Sequence, residues 1–235
     1  MAMGDPLKGD LLMAYSAIFF DIDGTLVDSN DMHVLAWEEA FASIDVHFER
    51  SEIHGQIGKG ADMLIPALLP NASKAEREAL ADAQGAAFKS RFLEMVVPFP
   101  DAHALLKRAA EGGQTVVLAS SASQGQLDHY LDLLHARRLV SATTSADDVG
   151  NTKPAPDIFA IALKKVAPLG PSDVVVIGDT PYDIEAAAKC GIAAIGLRSG
   201  KFTDEVLNGA GAIALYDDAA ALLKDYDASP LGAAR

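Results

Sequence analysis

The stretch Phe19-Phe20-Asp21-Ile22-Asp23-Gly24-Thr25-Leu26-Val27-Asp28 decides how this chain is read. It begins as the end of an apolar run, Ala17-Ile18-Phe19-Phe20, whose length and aromatic content suit a buried strand, and it breaks into two carboxylates and a glycine. Acids at the C-terminal end of such a strand lie at the rim of a sheet, where open α/β folds bind ligands. Alternation along an extended segment points Asp21 and Asp23 to one side, near enough for both to touch one bound cation. Gly24 permits a sharp turn after the second acid, and Thr25 adds a hydroxyl there.

Downstream, Val34, Trp37, Phe41 and Ile44 recur at helical spacing. Met63, Leu64, Ala67 and Leu68 suggest a second helix ended by Pro70-Asn71, and Ser73-Lys74-Ala75-Glu76 is a capping box opening a third that runs toward Val96. The block 31–97 thus reads as helical and without a clear strand. After Pro98-Phe99-Pro100 the texture changes to alternating units. Strands are expected at Thr115–Ala119, weakly at Val140–Thr144, at Asp173–Gly178 and at Ile192–Leu197, with helices between them. Repeated β-then-α units predict an α/β fold with a Rossmann-like parallel sheet core covered on both faces. The helical block breaks that alternation and is read as a subdomain inserted after the first strand. The expected division is therefore a loose tail over 1–14, a core over 15–30 and 98–225, a helical cap over 31–97 and a mobile end over 226–235.

Composition narrows the function. At 235 residues the chain can bury a substantial core, and a net charge of −14 argues against nucleic acid and anionic membrane surfaces as partners. No run approaches the roughly 18 apolar residues of a spanning helix. Cys190 is the single cysteine, which fits a reducing cytoplasm, and the six histidines show no zinc-like spacing with it. A small anionic substrate then requires a metal or a few placed cations to reverse the field locally.

Three further signals fall just past expected strand ends and would meet at one sheet edge. Ser120 and Ser121 precede a helix and offer hydroxyls and backbone N–H groups to an anion. Lys153 sits in the proline-restricted loop Asn151-Thr152-Lys153-Pro154-Ala155-Pro156-Asp157. Asp179 ends the strongest strand, and Asp183 follows one helical turn later. Attack of a carboxylate on a phosphate ester is opposed by charge repulsion, so a cation and Lys153 must neutralise both partners while Ser120 and backbone amides hold the equatorial oxygens. Asp23 is placed to move protons.

The four segments Asp21-Ile22-Asp23-Gly24-Thr25, Leu118-Ala119-Ser120-Ser121, Lys153-Pro154-Ala155-Pro156-Asp157 and Ile177-Gly178-Asp179-Thr180-Pro181-Tyr182-Asp183 resemble, in order, the motifs of the haloacid dehalogenase superfamily. The resemblance implies a helical cap between the first and second motifs. It also implies Mg²⁺ held by Asp21, the backbone carbonyl of Asp23, and Asp179. Asp21 would be the nucleophile, Asp23 the acid/base, Ser120 and Lys153 the phosphate binders, and Asp183 a carboxylate behind the metal site. Gly24, Thr25 and Ser121 are assigned to the substrate, with His33 on the first cap helix. Lys59, at the tip of Gly58-Lys59-Gly60, is expected to reach the substrate's distal part.

The resulting expectation is a cytoplasmic Mg²⁺-dependent phosphatase of a small phosphorylated metabolite, of the sugar phosphate or phosphoglycolate type, acting as a monomer or weak homo-oligomer. Two alternatives stand beside it. One is a sugar phosphomutase resembling β-phosphoglucomutase, which His33-Val34-Leu35-Ala36-Trp37 favours and Gly178-Asp179 disfavours. The other is a non-catalytic phospho-acceptor module, which likewise gathers acids and a lysine around Mg²⁺.

Overall fold

A computed structural model describes residues 15–232, so the expected tail over 1–14 lies outside the described residues. Strand β1 (Ala17–Phe20) is the centre of a six-stranded sheet. Its partners are β4 (Thr115–Ala119) on one side and β6 (Val174–Gly178) on the other, both parallel, with Phe20 aligned to Leu118 and to Ile177. The sheet is completed by β5 (Ala142–Thr144), β7 (Ala193–Leu197) and β8 (Ala214–Tyr216), in the order β5-β4-β1-β6-β7-β8. The chain builds outward from β1 in one direction and then in the other. The C-terminal ends of β1, β4 and β6 therefore flank a topological switch point, where such sheets open a crevice.

Burial on both faces explains why these strands are continuous apolar runs rather than alternating ones. Ile18, Phe20, Val116, Leu118, Val175 and Ile177 enter one hydrophobic cluster, while Ala17, Phe19, Val117, Ala119, Val174 and Val176 enter the other. Helices α5 (Ala102–Glu111), α6 (Gln124–Leu133) and α10 (Ala219–Lys224) cover the first face through Leu105, Leu127, Tyr130 and Leu222. Helices α7 (Asp157–Lys165), α8 (Pro181–Lys189) and α9 (Asp204–Ala210) cover the second through Phe159, Ile184 and Leu207. Phe19 and Phe20 are fully buried on opposite faces, each worth about 1.5–3 kcal/mol of transfer free energy.

Between β1 and β4 lies the inserted helical segment: α1 (Asn30–Ala42), α2 (Arg50–His54), α3 (Ala61–Leu68) and α4 (Lys74–Ala87). It has a core of its own, including Trp37, Phe41, Ile53, Leu64 and Leu80. The short helix α2 escapes the periodicity reading because a five-residue helix shows too little of a repeat. The third helix ends earlier than expected, passing after Ala87 into a π-helical turn (Phe88–Phe92) and a 3₁₀ turn (Leu93–Met95).

One expectation is refined and one corrected. The segment 31–97 holds no strand residue beyond Val97, but it is flanked by a pair the sequence did not suggest: β2 (Val27–Asp28) pairs antiparallel with β3 (Val97–Pro98), so both ends of the insertion leave the core through one short ribbon. Two residues per strand are too few to leave a pattern. The end expected to be mobile is packed as far as residue 232, with Tyr226 and Leu231 buried in the main core. Gln114 Nε2 donates to the carbonyls of Tyr15 and Leu231, and the Tyr226 hydroxyl donates to Gln114 Oε1.

Candidate active site

The crevice at the ends of β1, β4 and β6 collects the sequence-predicted residues. Lys153 carries a fully buried ammonium that donates to Asp21 Oδ1 at 2.5 Å and to the Ala119 carbonyl at 2.9 Å, and it forms an ion pair with Asp183 Oδ1 at 2.7 Å. Burial alone would pull this ammonium down. Asp183 and Asp21 reverse that and hold it above its ordinary value.

Asp21, Asp179 and Asp183 are buried, and one carboxylate oxygen from each lies within 4.8 Å of the others. Burial pushes Asp21 upward, with Lys153 opposing and Asp183 and Asp23 adding to the rise. Asp179 is pushed well above the usual carboxylate range, first by burial and then by Asp21 and Asp183, against the donors Asn30 and Thr25. Three carboxylates facing one ammonium leave two negative charges without a counter-charge. All donors are hard oxygens, and the buried Asn30 Oδ1 has no hydrogen-bond partner among the described residues. Both the charge and the donor chemistry fit a divalent cation of the Mg²⁺ type. Asp183 stands nearer this cluster than an outlying role suggests, since its Oδ2 is capped by the Thr180 N–H and hydroxyl while its Oδ1 holds Lys153.

Gly24 and Thr25 are absent from the lining of the cavity that Asp21 and Asp23 face. Thr25 is fully buried, its hydroxyl lies 2.9 Å from Asp179 Oδ1 and 3.2 Å from Asp21 Oδ2, and its N–H is taken by the Ile22 carbonyl. The Gly24 N–H is likewise bound, to the Val27 carbonyl, and its φ of +77° suits glycine. A Cβ at Gly24 would meet Asp179 Oδ2 at 2.1 Å. Both residues therefore stand behind the acids and fix them, because the tight turn that presents Asp23 consumes their amides.

A cavity of about 100 Å³ opens in front of the acids, lined by Asp21, Asp23, Ser120, His33, Trp37 and Lys59 among others. Core and insertion thus share its wall. The side chains of Ser120 and Ser121 are partly engaged: Ser120 Oγ accepts from the Ala122 N–H at 3.0 Å, and Ser121 Oγ donates to the Gly58 carbonyl at 3.3 Å. Lys59 Nζ lies 2.5 Å from Gln56 Oε1 and 4.4 Å above the Tyr182 ring, and its ammonium is lowered by burial against the pull of Glu185. A larger cavity of about 510 Å³ adjoins the first, sharing Gly60, Ala61, Gln84, Ser121 and Gln126 with it.

Asp23 turns away from the metal-type cluster. Its Oδ1 accepts from Ser29 Oγ at 2.6 Å, from Tyr130 OH at 2.8 Å and contacts His33 Nε2 at 3.1 Å. Burial would raise this carboxyl, but His33, Ser29 and Tyr130 outweigh it and hold Asp23 below its ordinary value. His33 stacks on Phe88 with ring centroids 3.9 Å apart.

Sequence reading missed Ser29, Asn30, Thr152 and Tyr130. Ser29 and Asn30 follow directly on the opening motif, where a polar pair before a helical repeat invites attention. Asn30 Nδ2 donates to Asp179 Oδ2 at 2.9 Å across 149 residues. Thr152, beside Lys153, takes the Gly60 N–H at 2.8 Å and donates to Asp62, joining loop to insertion. Tyr130 gave no signal, because on an amphipathic helix a buried tyrosine reads as core.

The family model for haloacid dehalogenase-like hydrolases matches residues 15–191. The chain is 25% identical over 185 residues to the fructose-1-phosphate phosphatase YqaB of Escherichia coli, covering 78% of this chain and 97% of the relative. It is 28% identical over 195 residues to the phosphoglycolate phosphatase of Pasteurella multocida, covering 79% and 87% respectively. Among solved structures, a hydrolase from Pseudomonas syringae superposes with a TM-score of 0.84 at 29% identity, over 91% of this chain and 98% of that one. The family match contains β1, β4 and β6 with Asp21, Ser120 and Asp179 just past their ends and Lys153 in the loop before α7, so fold, site and similarity coincide: this chain belongs to the haloacid dehalogenase-like hydrolases.

Proposed function

We propose that the protein is a phosphatase of a small phosphorylated metabolite, dependent on Mg²⁺ and working through an aspartyl phosphate on Asp21. The observation that carries this reading is the buried triangle in which Lys153 meets both Asp21 and Asp183, with Asp21 and Ser120 lining one cavity in front of it. Relatives named as phosphatases of fructose 1-phosphate and of phosphoglycolate support the substrate class. The inner cavity suits a phosphoryl group, and the adjoining chamber of about 510 Å³ suits the remainder of a small metabolite.

In this mechanism a carboxylate oxygen of Asp21 attacks phosphorus as the bond to the leaving oxygen breaks, and Asp23 gives that oxygen a proton. Water then attacks phosphorus, its proton passes to Asp23, the Asp21–phosphorus bond breaks, and inorganic phosphate is released with Asp21 regenerated. Ser120 holds an equatorial oxygen, and the charge of Lys153 beside Asp21 offsets that of the incoming phosphate. A divalent cation held by Asp21, Asp179 and the backbone of Asp23 supplies charge neutralisation for the approach of two anions. Asp183 keeps Lys153 in place, and the helical insertion acts as a cap whose residues, Lys59 and His33 among them, face the leaving group.

The test is release of inorganic phosphate from a panel of phosphorylated metabolites with and without Mg²⁺. Asp21→Asn is expected to fold and to lose all turnover, and undiminished activity in that variant refutes the assignment. The panel includes β-glucose 1-phosphate with a bisphosphate primer. Isomerisation without net phosphate release there would favour the phosphomutase alternative.

A further inference from the structure

Asp23 Oδ1 gathers three polar contacts on one atom. Ser29, His33 and Tyr130 all converge on it, at 2.6, 3.1 and 2.8 Å. Three donors on one oxygen suit an ionised carboxylate and fill the acceptor capacity of that oxygen. The other oxygen, Oδ2, has no hydrogen-bond partner among the described residues, while the carboxyl keeps 16% exposure and lines the cavity. The oxygen that takes up a proton is therefore singled out by the saturation of its twin.

The three donors have different origins. Ser29 and His33 sit at the start of α1 and belong to the insertion side of the crevice. Tyr130 alone comes from the sheet-covering layer: it lies on α6, is fully buried among Leu127, Leu131 and Leu134, and reaches Asp23 across 107 residues. Its hydroxyl donates to Asp23 Oδ1 at 2.8 Å.

We propose that Tyr130 is a positioning residue that, by its hydrogen bond to Oδ1, fixes the Asp23 carboxyl and leaves Oδ2 for the water-activating half of the reaction. This rests on the aspartyl-phosphate reading above. In that half, the oxygen of water bonds to phosphorus, the Asp21 oxygen leaves as carboxylate, and the water proton goes to Asp23 Oδ2. Tyr130 keeps its own proton throughout and touches neither substrate nor phosphorus. A tyrosine at this place supplies what a core phenylalanine would, plus one fixed hydrogen bond.

The experiment uses the full chain, Mg²⁺ and p-nitrophenyl phosphate, whose leaving group departs without help from an acid. For Tyr130→Phe, kcat is expected to fall about 10- to 100-fold. KM should fall in parallel, so that kcat/KM, which reports phosphoryl transfer to Asp21, stays within about threefold of the parent. A burst of p-nitrophenol equal to the enzyme present, with acid-stable phosphate on Asp21, should accompany it. Asp23→Asn run alongside should give the same burst with still slower release. A packing role for Tyr130 would instead lower kcat and kcat/KM together with no burst. That result, or parental kcat in Tyr130→Phe, overturns the inference while leaving the function standing if Asp23→Asn accumulates phosphoenzyme. Absence of phosphate on Asp21 in both variants overturns both.

Discussion

Lys153 Nζ and Asp21 Oδ1 lie 2.5 Å apart across 132 residues of chain, with the ammonium wholly excluded from solvent. A cation so placed neutralises part of a buried cluster that would otherwise hold three carboxylates alone. Lys153→Met keeps length and volume and removes the charge. Breaking such a pair is expected to cost about 3–5 kcal/mol in urea unfolding with a chelator present. The deficit should shrink when Mg²⁺ is added, because the ion supplies positive charge to the same carboxylates. Phosphatase turnover should fall at least about 100-fold.

Thr25 bridges two of the acids from behind, and its hydroxyl is its polar link to them. Thr25→Val preserves shape and leaves Asp179 one donor poorer. A loss of about 1–3 kcal/mol in stability is expected. The concentration of Mg²⁺ for half-maximal activity should rise, since Asp179 is then less firmly aimed. Titration of activity against Mg²⁺ in both proteins checks this.

Gly24 tests the backbone at the same spot. Alanine would take a left-handed conformation at φ +77° and drive its Cβ to 2.1 Å from Asp179 Oδ2. The conformational term alone costs about 1–2 kcal/mol. Gly24→Ala should therefore lower Tm and also displace Asp179, reducing kcat more than KM.

Lys59 makes a different kind of prediction. Held by Gln56 and the Tyr182 ring, it lines the inner cavity from the insertion side. Lys59→Ala should alter kcat/KM unequally across a phosphometabolite panel while changing Tm little. Equal ratios for parent and variant on every substrate would remove the assigned role.

Much of this was legible in the chain because parallel topology does the assembling. Once Phe20, Ala119 and Gly178 are recognised as strand ends, Asp21, Ser120 and Asp179 must share an edge, and Lys153 needs only a short loop to join them. The features that escaped are those without periodicity or local context. The ribbon of Val27–Asp28 with Val97–Pro98 is too short for a pattern, and it exists only because two distant segments meet. The packing of Tyr226 and Leu231 depends on Gln114, a polar residue whose buried role nothing nearby announces. The bonds of Thr25 to Asp21 and Asp179 were not legible, since a turn motif does not say which way its hydroxyl and amides point. Tyr130 was hidden by its own burial.

That two-residue ribbon has an engineering consequence. Every strand of the central sheet lies outside the stretch between Asp28 and Val97, so exchanging this cassette with that of a relative would leave the sheet's register intact. The graft would retain Asp21, Ser120, Lys153 and Asp179 in the host, but Asn30 and His33 would travel with the donor. A chimera built there would acquire new selectivity and, at the same stroke, new neighbours for Asp179 and Asp23.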